Sequence, residues 1–199
     1  MTTFRLLSLC ALLLVIFMIP VYSHDIIEKE KELSLMPSDT VKANVLISLG
    51  EYYCSRDFEK ALLYLQEALV ISTEHNYKKG IAGSYLYQGR SYYYKDQYGI
   101  SFDYLGKARK LFEEIEDKEG LANYHFAAGA NNTIIGNLIN ATENFQAMVI
   151  LSAETGNKEL QCLGYVSLGS LHIQRGEPLM AMSYLNEALG LARECDDSS

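Results

Sequence analysis

Four histidines and four cysteines are the residues of this chain best suited to chemistry. A histidine acts as a base only with a nucleophile or carboxylate in reach, and a metal needs several donors in one place. His24, His75, His125 and His172 are scattered, with no His-Glu-x-x-His, Cys-x-x-Cys, Gly-x-Ser-x-Gly or phosphate-binding loop around them. The glycines form no Gly-x-Gly-x-x-Gly cradle. The pattern points to a protein that is not an enzyme and uses no metal or cofactor. A formal charge of −8 argues against a nucleic-acid partner, which needs a basic footprint. Asn131-Asn-Thr133 and Asn140-Ala-Thr142 match a glycosylation sequon, but both fall in or at expected helices. The fifteen tyrosines are the other candidates for function. At helical spacing most read as core, as do Tyr52, Tyr85, Tyr92 and Tyr98. Tyr93 and Tyr94 are less fully explained that way.

What positions these residues is a repeat. Tyr85, Gly89, Tyr92, Asp96, Tyr98, Ser101, Leu105 and Ala108 define a pattern that returns 40 residues on. The next copy is His125, Gly129, Asn132, Gly136, Leu138, Ala141, Phe145 and Met148. It is followed by Tyr165, Gly169, His172, Gly176, Pro178, Ala181, Leu185 and Ala188. With the marker glycine numbered 8, these are positions 4, 8, 11, 15, 17, 20, 24 and 27. An earlier copy reads Val45, Leu49, Tyr52, Arg56, Phe58, Ala61, Leu65 and Ala68; its Gly50 lies one place late, which predicts a tighter turn after its first helix. Large residues at 4, 11, 17 and 24 fill the space between two antiparallel helices, and small ones at 8, 20 and 27 let backbones approach. A fixed period of this size marks stacked helical hairpins, none of which buries its apolar face alone. His125 and His172 then occupy large packing positions and read as core.

The pattern resembles the tetratricopeptide repeat, with its large residue at 4, Leu-Gly at 7–8, Tyr at 11, Ala at 20, an aromatic at 24 and Ala at 27. The resemblance covers about residues 40–195. It departs in lacking Trp and a Pro at position 32, and in a period longer than 34; the surplus is expected in the second helix and its following loop. It implies an all-α, right-handed solenoid of four repeats (about 40–78, 79–118, 119–157 and 158–195). It also implies that positions 2, 5, 9 and 12 of each first helix face a concave groove. These are Ala43, Leu46, Gly50 and Tyr53; Gly83, Leu86, Arg90 and Tyr93; Asn123, Phe126, Ala130 and Thr133; Leu163, Val166, Ser170 and Ile173. Among them Tyr53, Leu86, Arg90, Tyr93, Asn123, Phe126, Val166 and Ile173 are the candidates for partner binding, aromatic residues and Arg being the types that dominate binding hot spots. The rival is that a neighbouring segment of the chain fills the groove. The Lys/Asn set by which chaperone-docking members grip a C-terminal carboxylate is missing.

Around the repeats, residues 1–23 read as a cleavable secretory signal helix. Arg5 precedes an apolar run from Leu6 to Ile19, Pro20 breaks it, and Val21 and Ser23 suit cleavage before His24. An uncleaved anchor is the alternative. Cys10 leaves with this leader. Cys162 and Cys195 lie at one end of a hairpin, where a bridge is conceivable. Residues 24–39 form a charged helical lead-in that can cap the first repeat, and 196–199 a tail. Helices are expected at about 40–54, 57–74, 80–94, 97–115, 119–135, 138–154, 158–174 and 177–194, with Asp57, Asp96 and Asn137 as N-caps and Pro178 in a first turn. The acidic run 113–119 reads as a solvated turn. The fourth repeat is expected to expose an apolar face around Leu189 and Ala192. Either the chain continues or that face pairs with another chain.

An exported array of 40-residue repeats resembles the periplasmic sensory regions of Bacteroidetes-type membrane histidine kinases and related regulators. That resemblance implies a protein-interaction module facing the periplasm, within a signalling protein and continued by a membrane anchor. The other reading is a free-standing periplasmic receptor or adaptor that binds a peptide or small ligand in the groove.

Overall fold

The computed structural model describes residues 25–196. The expected signal segment 1–23 and tail residues 197–199 lie outside them. Among the described residues the chain is all α. A helix over residues 25–33, α1, leads into α2 (Thr40–Tyr53), α3 (Phe58–Glu74), α4 (Lys78–Tyr93), α5 (Tyr98–Glu114), α6 (Lys118–Ile134), α7 (Leu138–Thr155), α8 (Lys158–Gln174) and α9 (Pro178–Asp196). Each helix packs on the next, and the first helices of successive hairpins also touch: α2 on α4, α4 on α6, α6 on α8. The result is a TPR-like stack of four helix pairs. No described helix is long and apolar enough to cross a membrane.

The turns reveal a finer period than the sequence suggests. Left-handed residues recur every twenty positions: Asn76, Asp96, Glu116, Gly136, Gly156 and Gly176, with φ from 50° to 80°. Each ends a helix with a six-to-one hydrogen bond, as from the Tyr77 amide to the Ser72 carbonyl (2.8 Å) and from Asn137 to Asn132 (2.8 Å). The surplus length therefore does not gather in the second helix and its loop. It is shared equally, because both turns of the repeat close in the same way. The turn after α2 is the exception. Arg56 is not left-handed there, and the Asp57 amide reaches only to Tyr53 (2.8 Å), one residue tighter, as the position of Gly50 predicts. Among the described residues Glu116 is the one left-handed residue that is neither Gly, Asn nor Asp, types that tolerate this conformation. Glu116→Gly is expected to raise stability by about 1 kcal/mol, read as a higher midpoint in urea denaturation.

The residue after each left-handed position starts the next helix. Asp117, Asn137 and Asn157 each accept an amide hydrogen from three residues on, between 2.9 and 3.4 Å, and Asp57 and Asp39, which follow no left-handed residue, cap α3 and α2 in the same manner. Asp96 does not cap α5. It holds the left-handed position itself, so Gln97 starts the helix without a side-chain bond, and the Asp96 carboxylate accepts from the Tyr98 hydroxyl at 2.6 Å. Nor is the acidic run only solvated. Glu113 pairs with Arg109, Glu114 with Lys78, Asp117 with Lys79, and Glu119 accepts from Asn157. Lys78–Glu114, Lys118–Glu154 and Lys158–Glu194, at 2.7, 3.0 and 3.0 Å, are one ion pair repeated every 40 residues. Exposed pairs like these contribute about 0–1 kcal/mol each.

The core lies inside and between the hairpins. At position 24, Leu65, Leu105 and Phe145 are 0%, 1% and 5% exposed, each pressed against the marker glycine of its hairpin. A Cβ on Gly129 would stand 2.6 Å from the Phe145 ring, so only glycine lets these helices meet. The small residues Ala61, Ser101, Ala141 and Ala181 sit buried at position 20. At the N-terminal end α1 caps the stack: Leu33 packs on the Ala43–Leu46–Ala68–Ile71 cluster, and Glu30 accepts from Lys60 (2.6 Å) and the Tyr64 hydroxyl (2.8 Å). Tyr64 is pushed up to about 12, by burial first and by this bond second. At the other end Leu185, the fourth member of the position-24 series, is 37% exposed, and Leu179, Met182 and Leu189 are exposed with it.

Candidate functional site

The first helices α2, α4, α6 and α8 line one side of the stack, and side chains at positions 2, 5, 9 and 12 decide its shape. Position 9 decides most. In the middle repeats it is Arg90 and then Ala130, and in the last Ser170. The two small residues leave a gap between α6 and α8, where a pocket of about 260 Å³ opens between Phe126, Ala130 and Thr133 on one wall and Val166 and Ser170 on the other. Tyr93 forms its end. A second pocket of about 120 Å³ shares Tyr93, Phe126 and Ala130 and continues to Arg90, Tyr94, Ser101 and Asn131. A third, about 240 Å³, lies nearer the helix starts, lined by Asn44, Ile47, Gly83, Leu86 and Asn123 among others.

Arg90, Tyr93, Phe126 and Val166 are thus brought together, and Asn123 and Leu86 line the third pocket. Leu86 contributes only an edge, since it is buried in the core of the second hairpin. Ile173 is exposed on the last turn of α8 but does not line these pockets. Tyr53 is turned onto α3, its ring 6.0 Å from Tyr64 and its hydroxyl accepting from Lys60 at 2.9 Å. The reason is register. Gly50 does the work of the marker glycine against Leu65, which makes Tyr53 the counterpart of Tyr92 and His172 and places Glu51 opposite Arg90. Tyr92 and His172 likewise stack on Tyr104 and Tyr184. With Gly50 as position 8, the groove positions of the first repeat are Asn44, Ile47, Glu51 and Cys54.

Among the described residues Arg90 is the one charged side chain that lines these two adjoining pockets. Its guanidinium lies 5.3 Å from the Tyr87 ring centre, 5.8 Å from that of Phe126 and 3.4 Å from the Glu51 carboxylate. Burial pushes the Tyr87 phenol well above its usual range, so it stays protonated. Burial also pushes the Cys54 thiol up, which suppresses its reactivity. Cys162 keeps its thiol, donating to the Ala188 carbonyl at 3.4 Å.

The histidines sit where packing needs them. His172 is buried against Tyr184 with Nδ1 donating to Glu177 at 2.6 Å, and His75 donates to the Ser38 carbonyl at 2.8 Å. His125 Nδ1 donates to Asn144 Oδ1 at 2.9 Å. Among the described residues no three His, Cys, Asp or Glu side chains converge as a metal site. Burial holds the His125 imidazole below its ordinary value of 6.5, outweighing the Asn144 bond. The unfolded chain therefore takes up this proton more readily than the folded one. The stability His125 gives is present above pH 6.5 and is lost as pH falls below it. Thermal melts from pH 7 to 5 are expected to show wild type losing more stability than His125→Gln.

Sequence reasoning missed Asn131. It noted this residue only as a sequon, yet the side chain is fully buried and cannot carry a glycan in the folded chain. Its partner Ser101, 30 residues away, was legible only as a small packing residue.

No family model and no curated protein matches the chain. Among solved structures, that of BtubC (BKLC) from P. vanneervenii is similar, with a TM-score of 0.64 and 14% identity over 79% of this chain and 64% of that one. The chain thus spans less than two thirds of BtubC. At that identity the likeness is one of fold, an all-helical stack of helix pairs.

Proposed function

We propose that this chain is a protein-interaction module without catalytic activity, which docks a segment of a partner protein in the groove between α6 and α8. The observation that carries this is a pair of adjoining pockets between Arg90 and Ser170, which share Tyr93, Phe126 and Ala130. Together they join aromatic and aliphatic walls to a single guanidinium, and Val166 on their wall is 39% exposed, an apolar side chain that a ligand can cover. Affinity for a docked segment comes from such desolvated apolar anchors. Selection of displayed random peptides against the full chain tests it. Selected peptides are expected to lose at least about tenfold in affinity for Ala130→Trp, whose indole fills the pocket. Unchanged binding by that variant would place the docking surface elsewhere.

The leader-like sequence of residues 1–23 supports export, and the module then faces the periplasm as the sensory or scaffold region of a signalling protein. Fusion of those residues to a reporter active only outside the cytoplasm tests export, and an inactive reporter would contradict it. A free-standing receptor for a small ligand is the second reading, favoured by the more enclosed pocket of about 120 Å³.

A further inference from the structure

We infer that the cavity between α1, α2 and α4 binds an organic carboxylate, held by Arg56 and Arg90 with its apolar body against Tyr52 and Tyr94. This site lies beside the docking groove and meets it at Arg90 and Tyr94, but it does not depend on the groove being occupied.

The cavity holds about 420 Å³. Ile26 and Lys29 line it from α1, Tyr52 and Arg56 from the end of α2, and Arg90 and Tyr94 from α4. In the short turn after α2, Arg56 folds back over the helix. Its Nη1 donates to the Tyr52 carbonyl at 2.7 Å, and its guanidinium lies 4.2 Å from the Tyr52 ring centre. One N–H thus satisfies an end carbonyl of α2. Arg56 is exposed, so the rest of its fork stays within reach of a ligand. Arg90 approaches from α4 with 19% of its side chain exposed and one long contact, 3.4 Å, to Glu51. Burial raises the Cys54 thiol most; Arg90 and Arg56 both pull against it, so the two cations act on one residue of the same cavity.

Charge selects the ligand. The lining holds three cations, Lys29, Arg56 and Arg90, and two carboxylates, Asp25 and Glu51. That is a surplus of one positive charge in a chain whose formal charge is −8. A carboxylate balances the surplus and offers two oxygens to a guanidinium fork. A phosphate dianion exceeds it and meets Glu51 and Asp25. An ammonium is repelled by both arginines, and a neutral amide forgoes the charge-assisted bonds. Tyr52, Tyr94 and Ile26 add apolar surface, which favours an acid with an aromatic body over acetate.

The carboxylate belongs either to a free organic acid or to an acidic side chain of a segment in the adjoining groove. Calorimetric titration of the full-length chain with 3-phenylpropanoate reads the first source. Saturable binding is expected, at least about tenfold tighter than that of 3-phenylpropanamide. Arg56→Gln should weaken it about tenfold, and Glu51→Gln, which removes a competing carboxylate, should tighten it. A purely structural Arg56 would move the melting temperature of its variant and leave the preference for acid over amide unchanged. For the second source, peptides selected on the groove are compared with counterparts in which Asp and Glu are replaced by Asn and Gln. A loss of about tenfold in wild type but not in Arg56→Gln assigns the carboxylate to the docked segment. No preference for acid over amide in either arm, or the same preference in Arg56→Gln as in wild type, would overturn the site. Failure of every peptide to bind would overturn the docking groove, and the titration with 3-phenylpropanoate then decides the site alone.

Discussion

Phe145→Ala is expected to cost about 3–5 kcal/mol of unfolding free energy, and Leu185→Ala, at the same position of the next repeat, only about 1 kcal/mol. Phe145 is buried and fills the space that Gly129 leaves open, in a cluster with Ala122, Ala141, Met148, Leu168 and Leu171. Truncation there removes the transfer energy of a ring and leaves a cavity that two packed helices cannot close. Leu185 makes the same contact with Gly169, but among the described residues no further helix stacks on its outer side, and it is partly hydrated already. Leu65→Ala and Leu105→Ala, both buried, should fall with Phe145, at about 2–5 kcal/mol. Urea denaturation of the four variants at equal protein concentration reads this directly. A cost at Leu185 equal to the others would mean that the α9 face is covered in solution, contrary to the open end described above.

Reversing the charge at Arg90 is expected to destabilise the fold by about 2–3 kcal/mol. The site is built for a cation. The guanidinium lies near the faces of Tyr87 and Phe126 and beside Glu51, with 19% of its side chain exposed. A glutamate there loses both ring contacts, meets a like charge and is poorly hydrated. The ion pair alone contributes little, because Glu51 is half exposed and screened by water. Arg90→Met should therefore be far milder than Arg90→Glu. Adding Glu51→Lys to Arg90→Glu should recover about 1 kcal/mol or more of the loss. Thermal melts of the three variants give the comparison, and equal stability of Arg90→Glu and wild type would show that the side chain simply turns to solvent. Charge reversal is accordingly a poor probe of the groove, since loss of binding would be confounded with loss of fold.

The hairpins were legible because their marker residues are few and strict: Gly89, Gly129 and Gly169, each facing a large residue sixteen positions on. The twenty-residue sub-period was hidden because its left-handed positions hold four residue types, Asn, Asp, Glu and Gly. Asp96 was misread for the same reason; a residue good at capping is also good at the left-handed conformation one place earlier. Tyr53 was carried into the groove because the first repeat was aligned on its second helix, across a turn one residue short. The resemblance to the tetratricopeptide repeat implied one face for Phe126, Arg90, Tyr93 and Val166. The pocket between them was not legible, because it exists through what is missing at Ala130 and Ser170. Asn131 gave no signal, since its role follows from a hydrogen-bond chain through Ser101 to Gly89 that joins α4, α5 and α6.

The most direct test of the docking account is to map a selected peptide onto the labelled chain by amide chemical-shift changes. Saturable shifts are expected, confined to Arg90, Tyr93, Phe126, Ala130, Asn131, Val166 and Ser170, on the face shared by α4, α6 and α8. Shifts gathered on the outer surface of the second helices, around Leu63, Val70 and Ile150, or on the open face of α9, would contradict it.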